Sequence, residues 1–359
     1  MWPLMLQKTD LSPPEVAAFL APAVVDWQLR HGRHDLPWQN TGDPYRVWLS
    51  EIMLQQTQVA TVLDYFARFV GRFPDVHALA QASLDEVLHL WSGLGYYSRA
   101  RNLHRCAQEV MNRFAGEFPQ TAAQLQSLPG IGPSTAAAIA SLCFGERVAI
   151  LDGNVKRVLS RYLGFDADLA QAAHARRLWA AATALLPDTD LSQSMPRYTQ
   201  GMMDLGATLC KLKKPLCAQC PLQPHCVGHA QGQPERLPVK TRRLKRTAQS
   251  IWLLWARNRE GALWLSQRPT PGIWAGLYCF AMFDSLAALQ MALPEDVRAH
   301  LVPQPAFKHV LTHKDLYLHP VQVVLPRRLK LEASGAWFEP EQWPLLGLPA
   351  PVSKLLRQV

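Results

Sequence analysis

Residues 128 to 159 constrain this chain more than any other stretch. Pro129, Gly130 and Gly132 break one helical pattern, and Pro133 suits the first turn of the next helix. A Gly-Ile-Gly turn leaves backbone N–H groups bare of side chains at a helix N-terminus. Orphan donors and the helix dipole both favour an anion there, such as a phosphate. Twenty residues beyond Gly132, Asp152 stands just before another helix start, with Gly153 and Asn154 as cap-type residues. Spacing alone leaves two readings open. One is an ordinary helix-turn-helix corner with a capping aspartate; the other is a phosphate seat with a working carboxylate at a set distance from it.

Two helical patterns precede this stretch. Residues 13 to 31 read as an amphipathic helix carrying Val16, Phe19, Leu20, Val24, Trp27 and Leu29, followed by a loop from Arg33 to Gln39 that contains Trp38. Residues 44 to 70 repeat the period with Trp48, Ile52, Val59, Leu63, Phe66 and Phe69. Glu51 lies close to this apolar face, one turn on from Val47 and Trp48. A helical glutamate is ordinarily a solvated side chain. An apolar surround would instead raise its pKa by desolvation, as a general acid working near neutral pH requires. Next, Leu90 to Leu103 form a glycine-punctuated connection with paired tyrosines and two arginines. Such a segment suits either a packed interhelix corner or stacking on bases and gripping of phosphates. Residues 165 to 206 read as helices rich in alanine and leucine, with Met202, Met203 and Leu205 in the core.

Seven cysteines are present, and four of them, Cys210, Cys217, Cys220 and Cys226, fall within 17 residues. That bunching points to a metal site in a reducing compartment rather than a disulfide framework. Four thiolates hold either zinc or an iron–sulfur cluster, and ligation alone does not separate the two. Cys106, Cys143 and Cys279 read as small packed hydrophobes. The formal charge of +9 favours a polyanionic partner. The N-terminal residues lack a signal-peptide pattern, and no apolar run approaches the roughly 20 residues a membrane span needs. The expectation is a soluble, cytoplasmic protein with no membrane role.

Residues 228 to 247 read as a linker ending in the basic run Lys240 to Arg246, either a nuclear import signal or an interdomain strap on a phosphate backbone. A second domain follows from 248. Ile251 to Ala256 and Ala262 to Ser266 read as strands joined by a short turn; alternating Leu316, Leu318 and Val321 follow, and the chain closes through Val352 to Leu356.

Together these motifs resemble the MutY-type adenine DNA glycosylases of the helix-hairpin-helix, endonuclease III-like superfamily. The segments carrying the likeness are residues 48 to 58, 90 to 103, 128 to 157 and the four cysteines. The resemblance implies a mostly α-helical catalytic region over 1–227 with a 4Fe-4S cluster held by Cys210, Cys217, Cys220 and Cys226. A basic linker over 228–247 and an α+β Nudix-like domain over 248–359 would follow. It implies Glu51 as general acid, Asp152 as the carboxylate facing the sugar, and Asn154 as its hydrogen-bonded orienter. Trp38 and Gln200 would line the base pocket, Gln56 and Tyr96 would enter the duplex, and Gly130 and Gly132 would seat phosphate. Thr312 and His313 would read 8-oxoguanine opposite the adenine, although Leu311 replaces the aromatic residue expected beside them. The Gly-rich carboxylate box of true Nudix hydrolases is missing. The implied partner is double-stranded DNA containing A:8-oxoguanine or A:G mispairs, bound by a monomer.

One residue separates the nearest alternatives. Bifunctional relatives carry a Schiff-base lysine two residues after the second hairpin glycine, where this chain has Ser134. Without an amine no imine forms, so the expectation is a monofunctional glycosylase rather than a pyrimidine-lesion glycosylase/lyase. A non-catalytic DNA-binding protein fits less well, because Glu51 and Asp152 are both present.

Overall fold

The computed structural model describes residues 14–241, 245–327, 331 and 335–357. Arg242, Arg243 and Leu244 of the basic run, and the Val16 side chain, lie outside the described part. Helices run in the order α1 (Pro14–His31), α2 (Pro44–Leu54), α3 (Val59–Arg72), α4 (Val76–Gln81), α5 (Leu84–Trp91), α6 (Ser98–Phe114), α7 (Ala122–Leu125), α8 (Pro133–Phe144), α9 (Gly153–Leu163), α10 (Ala172–Ala184), α11 (Leu191–Thr208) and α12 (Val227–Ala230). The chain forms two compact units. One takes residues up to Gln56 and from Glu109 to Thr241; the other takes Thr57–Gln108 and the residues from 245 on.

The single helix expected over 44–70 is two. Gln56 adopts φ 60, in the left-handed region, and Gln58 starts α3 in extended conformation. The break puts Gln56 on an exposed corner just past the end of α2. The apolar periodicity runs through the break, so it could not mark it. Leu29 and Leu63, counted with the apolar faces, are exposed.

In the first unit α11 is central, packing on α1, α8 and α9. Its core joins Leu20 and Val24 of α1, Val155 and Leu159 of α9, and Met202 and Leu205 of α11, all buried. Glycines permit the close approach. A methyl group on Gly201 would sit 2.7 Å from Val24, and one on Gly206 would sit 2.5 Å from Asn154 Cβ. The stretch read as a linker is anchored here in its first half. Leu237 is buried and accepts a bond from Arg161, and the Val239 carbonyl accepts from the Leu169 N–H.

The second unit combines α3–α5 and most of α6 with a sheet of β1 (Thr247–Arg257), β2 (Leu263–Gln267), β3 (Tyr278–Cys279), β4 (Ala281–Phe283), β5 (Val302–Pro303), β6 (Phe307–Val310), β7 (Lys314–Val324) and β8 (Gly335–Phe338), plus α13 (Leu286–Met291), α14 (Glu295–Arg298) and α15 (Ala350–Leu356). The path is β3-β2-β1-β7-β5, and β1 and β7 pair in parallel from Thr247↔Lys314 to Arg257↔Val324. Alternation puts Leu254, Ala256, Val321 and Val323 in one apolar core. The helical segment is bonded to this sheet region: Ser92 Oγ donates to the Leu348 carbonyl at 2.7 Å, and Arg101 donates to that of Ala275 at 2.6 Å. No helix among the described residues is long and apolar enough to cross a membrane.

The glycine contacts on α11 make separable predictions. Gly206→Ala should destabilise by about 1–3 kcal/mol through overpacking and displace Asn154. Gly201→Ala should cost a similar amount against α1 while leaving the start of α9 in place. Thermal unfolding and amide exchange at residues 152–156 check both.

Candidate active site

The hairpin is built as its glycines require. Gly130 has φ 78, a conformation costly for any residue with a Cβ. Gly132 is different. It caps α8 at an ordinary φ of −83, is exposed, and a methyl group there would meet nothing. The fold therefore does not demand glycine at 132; a ligand brought close to the backbone would. Pro133 occupies the first helical position and leaves the N–H groups of the first turn without intrahelical acceptors. Ser134 turns its hydroxyl inward, where Oγ accepts the Leu151 N–H at 3.1 Å. The position that carries an amine in bifunctional enzymes here pins the residue before Asp152.

Asp152 caps α9, its Oδ1 accepting the Val155 N–H at 2.7 Å. Burial raises its pKa above the ordinary 3.8, opposed by the N–H groups of Val155 and Asn154 and the charges of Arg157 and Lys156. Glu51, on α2, is pushed much further, from 4.5 to about 7, chiefly by burial and then by the charge of Asp152. The two carboxyls therefore share one electrostatic environment, and their protonation is linked. Burial and the neighbouring charge of Asp152 together favour the protonated form of Glu51 near neutrality. Glycosidases place a pair of carboxyl groups about the glycosidic bond they cleave.

Asn154 reaches Asp152 through its backbone N–H, while its side-chain oxygen accepts from Arg157 at 2.8 Å. Arg157 escaped the sequence reading, which marked only a helix start here. It also donates to the carbonyls of Cys210 and Gly206, both at 2.7 Å. One turn on, the buried Arg161 contacts Cys210 Sγ at 3.3 Å and donates to the carbonyls of Lys211, Leu212 and Leu237. The helix that starts at Asp152 is thus tied along its length to the cysteine loop.

Cys210, Cys217, Cys220 and Cys226 are free thiols lining one small apolar cavity with Arg161, Tyr162 and Leu205. Burial pushes Cys220 up to about 12, and the charges of the other three thiols add to the effect. Such crowding is reversed by a metal centre, which deprotonates its thiols outright. The donor set fits a thiolate-bound group. Among the described residues, no three of His, Cys, Asp and Glu are placed to grip a single metal ion. Lys211, Lys213 and Lys214 are exposed on the same loop.

Asp204, fully buried on α11, also escaped the sequence reading. It accepts from Arg33 through Nε at 2.7 Å and through the backbone N–H at 3.0 Å, and from Gln200 Nε2 at 2.9 Å. It thereby ties Gln200 to the loop that carries the buried Trp38.

Tyr96, Thr312 and His313 belong to the second unit, where they line one cavity of about 640 Å³ with Trp274 and His309. Tyr96 is exposed at φ 49, and its hydroxyl lies 2.6 Å from Thr312 Oγ1. Beneath it the buried Arg99 guanidinium lies 5.4 Å from the Tyr96 ring centre and 5.3 Å from that of Trp91. Arg99 also donates to the Gly95 carbonyl and Thr57 Oγ1, both at 3.2 Å. Arg246, read as linker charge, instead clamps the turn of Thr312 by donating to the carbonyls of Leu311 and Thr312 and pairing with Asp315.

With this geometry in hand, the chain can be compared with known proteins. It matches the profile of the HhH-GPD superfamily of base excision DNA repair proteins over residues 49–183 and that of a NUDIX domain over residues 252–358. It is 36% identical over 341 residues to the adenine DNA glycosylase of Buchnera aphidicola subsp. Acyrthosiphon pisum, covering 93% of this chain and 95% of that relative. The chain belongs to the MutY-type adenine DNA glycosylase family. The human adenine DNA glycosylase is 41% identical over 232 residues, 62% of this chain and 41% of its own length. Among solved structures, a thermostable thymine-DNA glycosylase aligns with TM-score 0.53 and 25% identity over 60% of this chain and 98% of its own. A non-covalent endonuclease III–DNA complex aligns with TM-score 0.50 and 21% identity over 64% of this chain and 99% of its own, a likeness of fold. Adenine DNA glycosylases are enzymes acting on N-glycosyl bonds, and the expected helical core followed by a Nudix-like domain is borne out.

The raised pKa of Glu51 predicts a pH-dependent stability. Between the unfolded value near 4.5 and the folded value of about 7, the native state holds a proton that the unfolded state has lost. Stability contributed by this group is therefore full below the lower value and lost as pH rises through the upper. Glu51→Gln should raise the melting temperature above pH 7 and leave it unchanged near pH 4. Melting curves at the two pH values check this.

Proposed function

We propose that this chain is a monofunctional glycosylase that hydrolyses the N-glycosidic bond of adenine mispaired with 8-oxoguanine or guanine in duplex DNA. The observation that carries the reading is a carboxyl group with a pKa near 7 beside a second, capping carboxylate at the end of a helix-hairpin-helix. Excision requires the base out of the stack. Glu51, protonated, donates its proton to the five-membered ring of the everted adenine. The bond to C1′ then breaks with its electron pair leaving on the base.

Asp152 faces the cationic sugar. At about 4 Å and an effective dielectric near 20, opposite charges attract by roughly 4 kcal/mol. General acid catalysis contributes about two to four decades of rate, or about 3–5 kcal/mol, so the two effects are of similar size. Water adds to C1′ and loses a proton, leaving an abasic site and free adenine. Ser134 has no amine to form an imine and its hydroxyl is engaged with Leu151, which speaks against a lyase step.

Cys210, Cys217, Cys220 and Cys226, which line one small cavity, would hold a 4Fe-4S cluster through their thiolates. When bound it supplies a rigid cross-link of the basic loop rather than bond-making chemistry. Gln56 and Tyr96, each exposed at positive φ, would enter the duplex. Trp38 and Gln200 would bound the adenine pocket, and Thr312 with His313 would read the opposite base.

Single-turnover excision on duplexes differing only in the base opposite adenine tests the proposal. Release should be fastest opposite 8-oxoguanine, then guanine, and should fall as pH rises through about 7, where Glu51 loses its proton. Glu51→Gln and Asp152→Asn should each lower the rate by about two to four decades. Wild-type rates in both variants would defeat the assignment, and a strong borohydride-trapped adduct would favour a lyase. Gly132→Ala, which the fold accommodates, should leave melting unchanged and weaken DNA binding.

A further inference from the structure

Gln56, at φ 60, and Tyr96, at φ 49, each top an exposed corner in the left-handed region. That conformation is costly for a residue with a Cβ, so each corner needs a support. One buried side chain in the second unit reaches both supports. Arg99, in the first turn of α6, is 8% exposed. Its Nη2 donates to Oγ1 of Thr57, the residue after Gln56, at 3.2 Å, and to the carbonyls of Leu94 at 3.3 Å and Gly95 at 3.2 Å. Its backbone N–H donates to the Tyr96 carbonyl at 2.8 Å. The Gly95 carbonyl also accepts from Trp91 Nε1 at 3.1 Å. Two donors on that one oxygen fix the peptide plane from which Tyr96 turns.

The place is an unfavourable one for a cation. The N-terminal turn of a helix disfavours positive charge, and burial strips the charge of its water. A lysine could carry the charge but has no planar fork with which to reach acceptors on two segments at once. A wedge unstacks a base only if it yields less than the stack does, because unstacking costs free energy that the wedge must supply. Resting on the reading in which Gln56 and Tyr96 enter the duplex, we propose that Arg99 is a positioning residue for eversion of the adenine. It ties Thr57 to the turn of Tyr96, so that one group braces both entering side chains. Arg99 itself touches no base and takes no part in breaking the glycosidic bond.

The fluorescence of 2-aminopurine at the adenine position, which rises when the base leaves the stack, tests this on the intact protein. The duplexes carry either guanine or an abasic site opposite it, since eversion costs least where the base has no partner. Arg99→Lys should lower the eversion equilibrium about tenfold opposite guanine, and by no more than about twofold opposite the abasic site. Thr57→Val, which removes the acceptor hydroxyl, should show the same pattern more weakly. It should add little in the Arg99→Lys background, because both changes break one connection. Thr57 is half-buried, so its variant decides the matter if Arg99→Lys does not fold. Equal losses on both duplexes would mark a general structural role and overturn the proposal, as would wild-type eversion in the variants or strictly additive effects. A wild-type protein that leaves 2-aminopurine stacked in both duplexes would instead overturn the reading on which the proposal rests.

Discussion

Asp152 uses one carboxylate for two purposes, and the rest of the candidate site depends on both. Its Oδ1 caps α9, which fixes the side chain, and its charge helps hold the proton on Glu51. A carboxylate free to rotate would do neither well. The surrounding contacts limit that rotation from both sides of the chain. Ser134 holds the Leu151 N–H before it, and the Val155 N–H holds it from behind. Arg157 then binds the first turn of α9 to the carbonyls of Cys210 and Gly206. A buried, hydrogen-bonded group costs most when a partner is removed, so the start of α9 is held stiffly.

The sequence carried the helices, the hairpin and the cysteine spacing because each is a local pattern. Periodicity located α1 within a residue, and Gly130, Gly132 and Pro133 marked the start of α8. The break at Gln56 was not legible, since apolar residues recur through it and a glutamine at φ 60 leaves no compositional sign. Arg157, Arg161 and Asp204 were missed for a related reason. Each is a charged residue on an amphipathic helix, and only tertiary packing shows that it faces inward to pair with backbone groups or a distant arginine. Arg246 went unnoticed within a basic run, where charge alone suggested a solvated strap. Burial of a charge is a property of the fold, and periodicity does not report it.

The second unit follows its own logic. Its exposed tyrosine needs a backbone at positive φ, and that strain must be held from below. Arg99 does so by lying against Tyr96 and Trp91 while donating to the Gly95 carbonyl; burial lowers its pKa to about 10, and Tyr96 works against that shift. From the sheet side, Thr312 meets the Tyr96 hydroxyl, and the turn that carries Thr312 is held by Arg246. Two segments more than 200 residues apart in sequence thus present one prepared surface. No local pattern could have announced that bond.

Under the proposed function, Ser134 decides which chemistry the hairpin can support. A lysine there would place an amine beside the sugar and open the way to an imine, and with it strand cleavage. A serine gives up that nucleophile, and its hydroxyl is not idle: it is spent on the Leu151 N–H, one residue before Asp152. The exchange favours a carboxylate that stays in place over a base that attacks. Under the proposed reaction, orientation counts for more than nucleophilicity at Asp152, because the attraction between a carboxylate and a sugar cation falls with distance and misalignment.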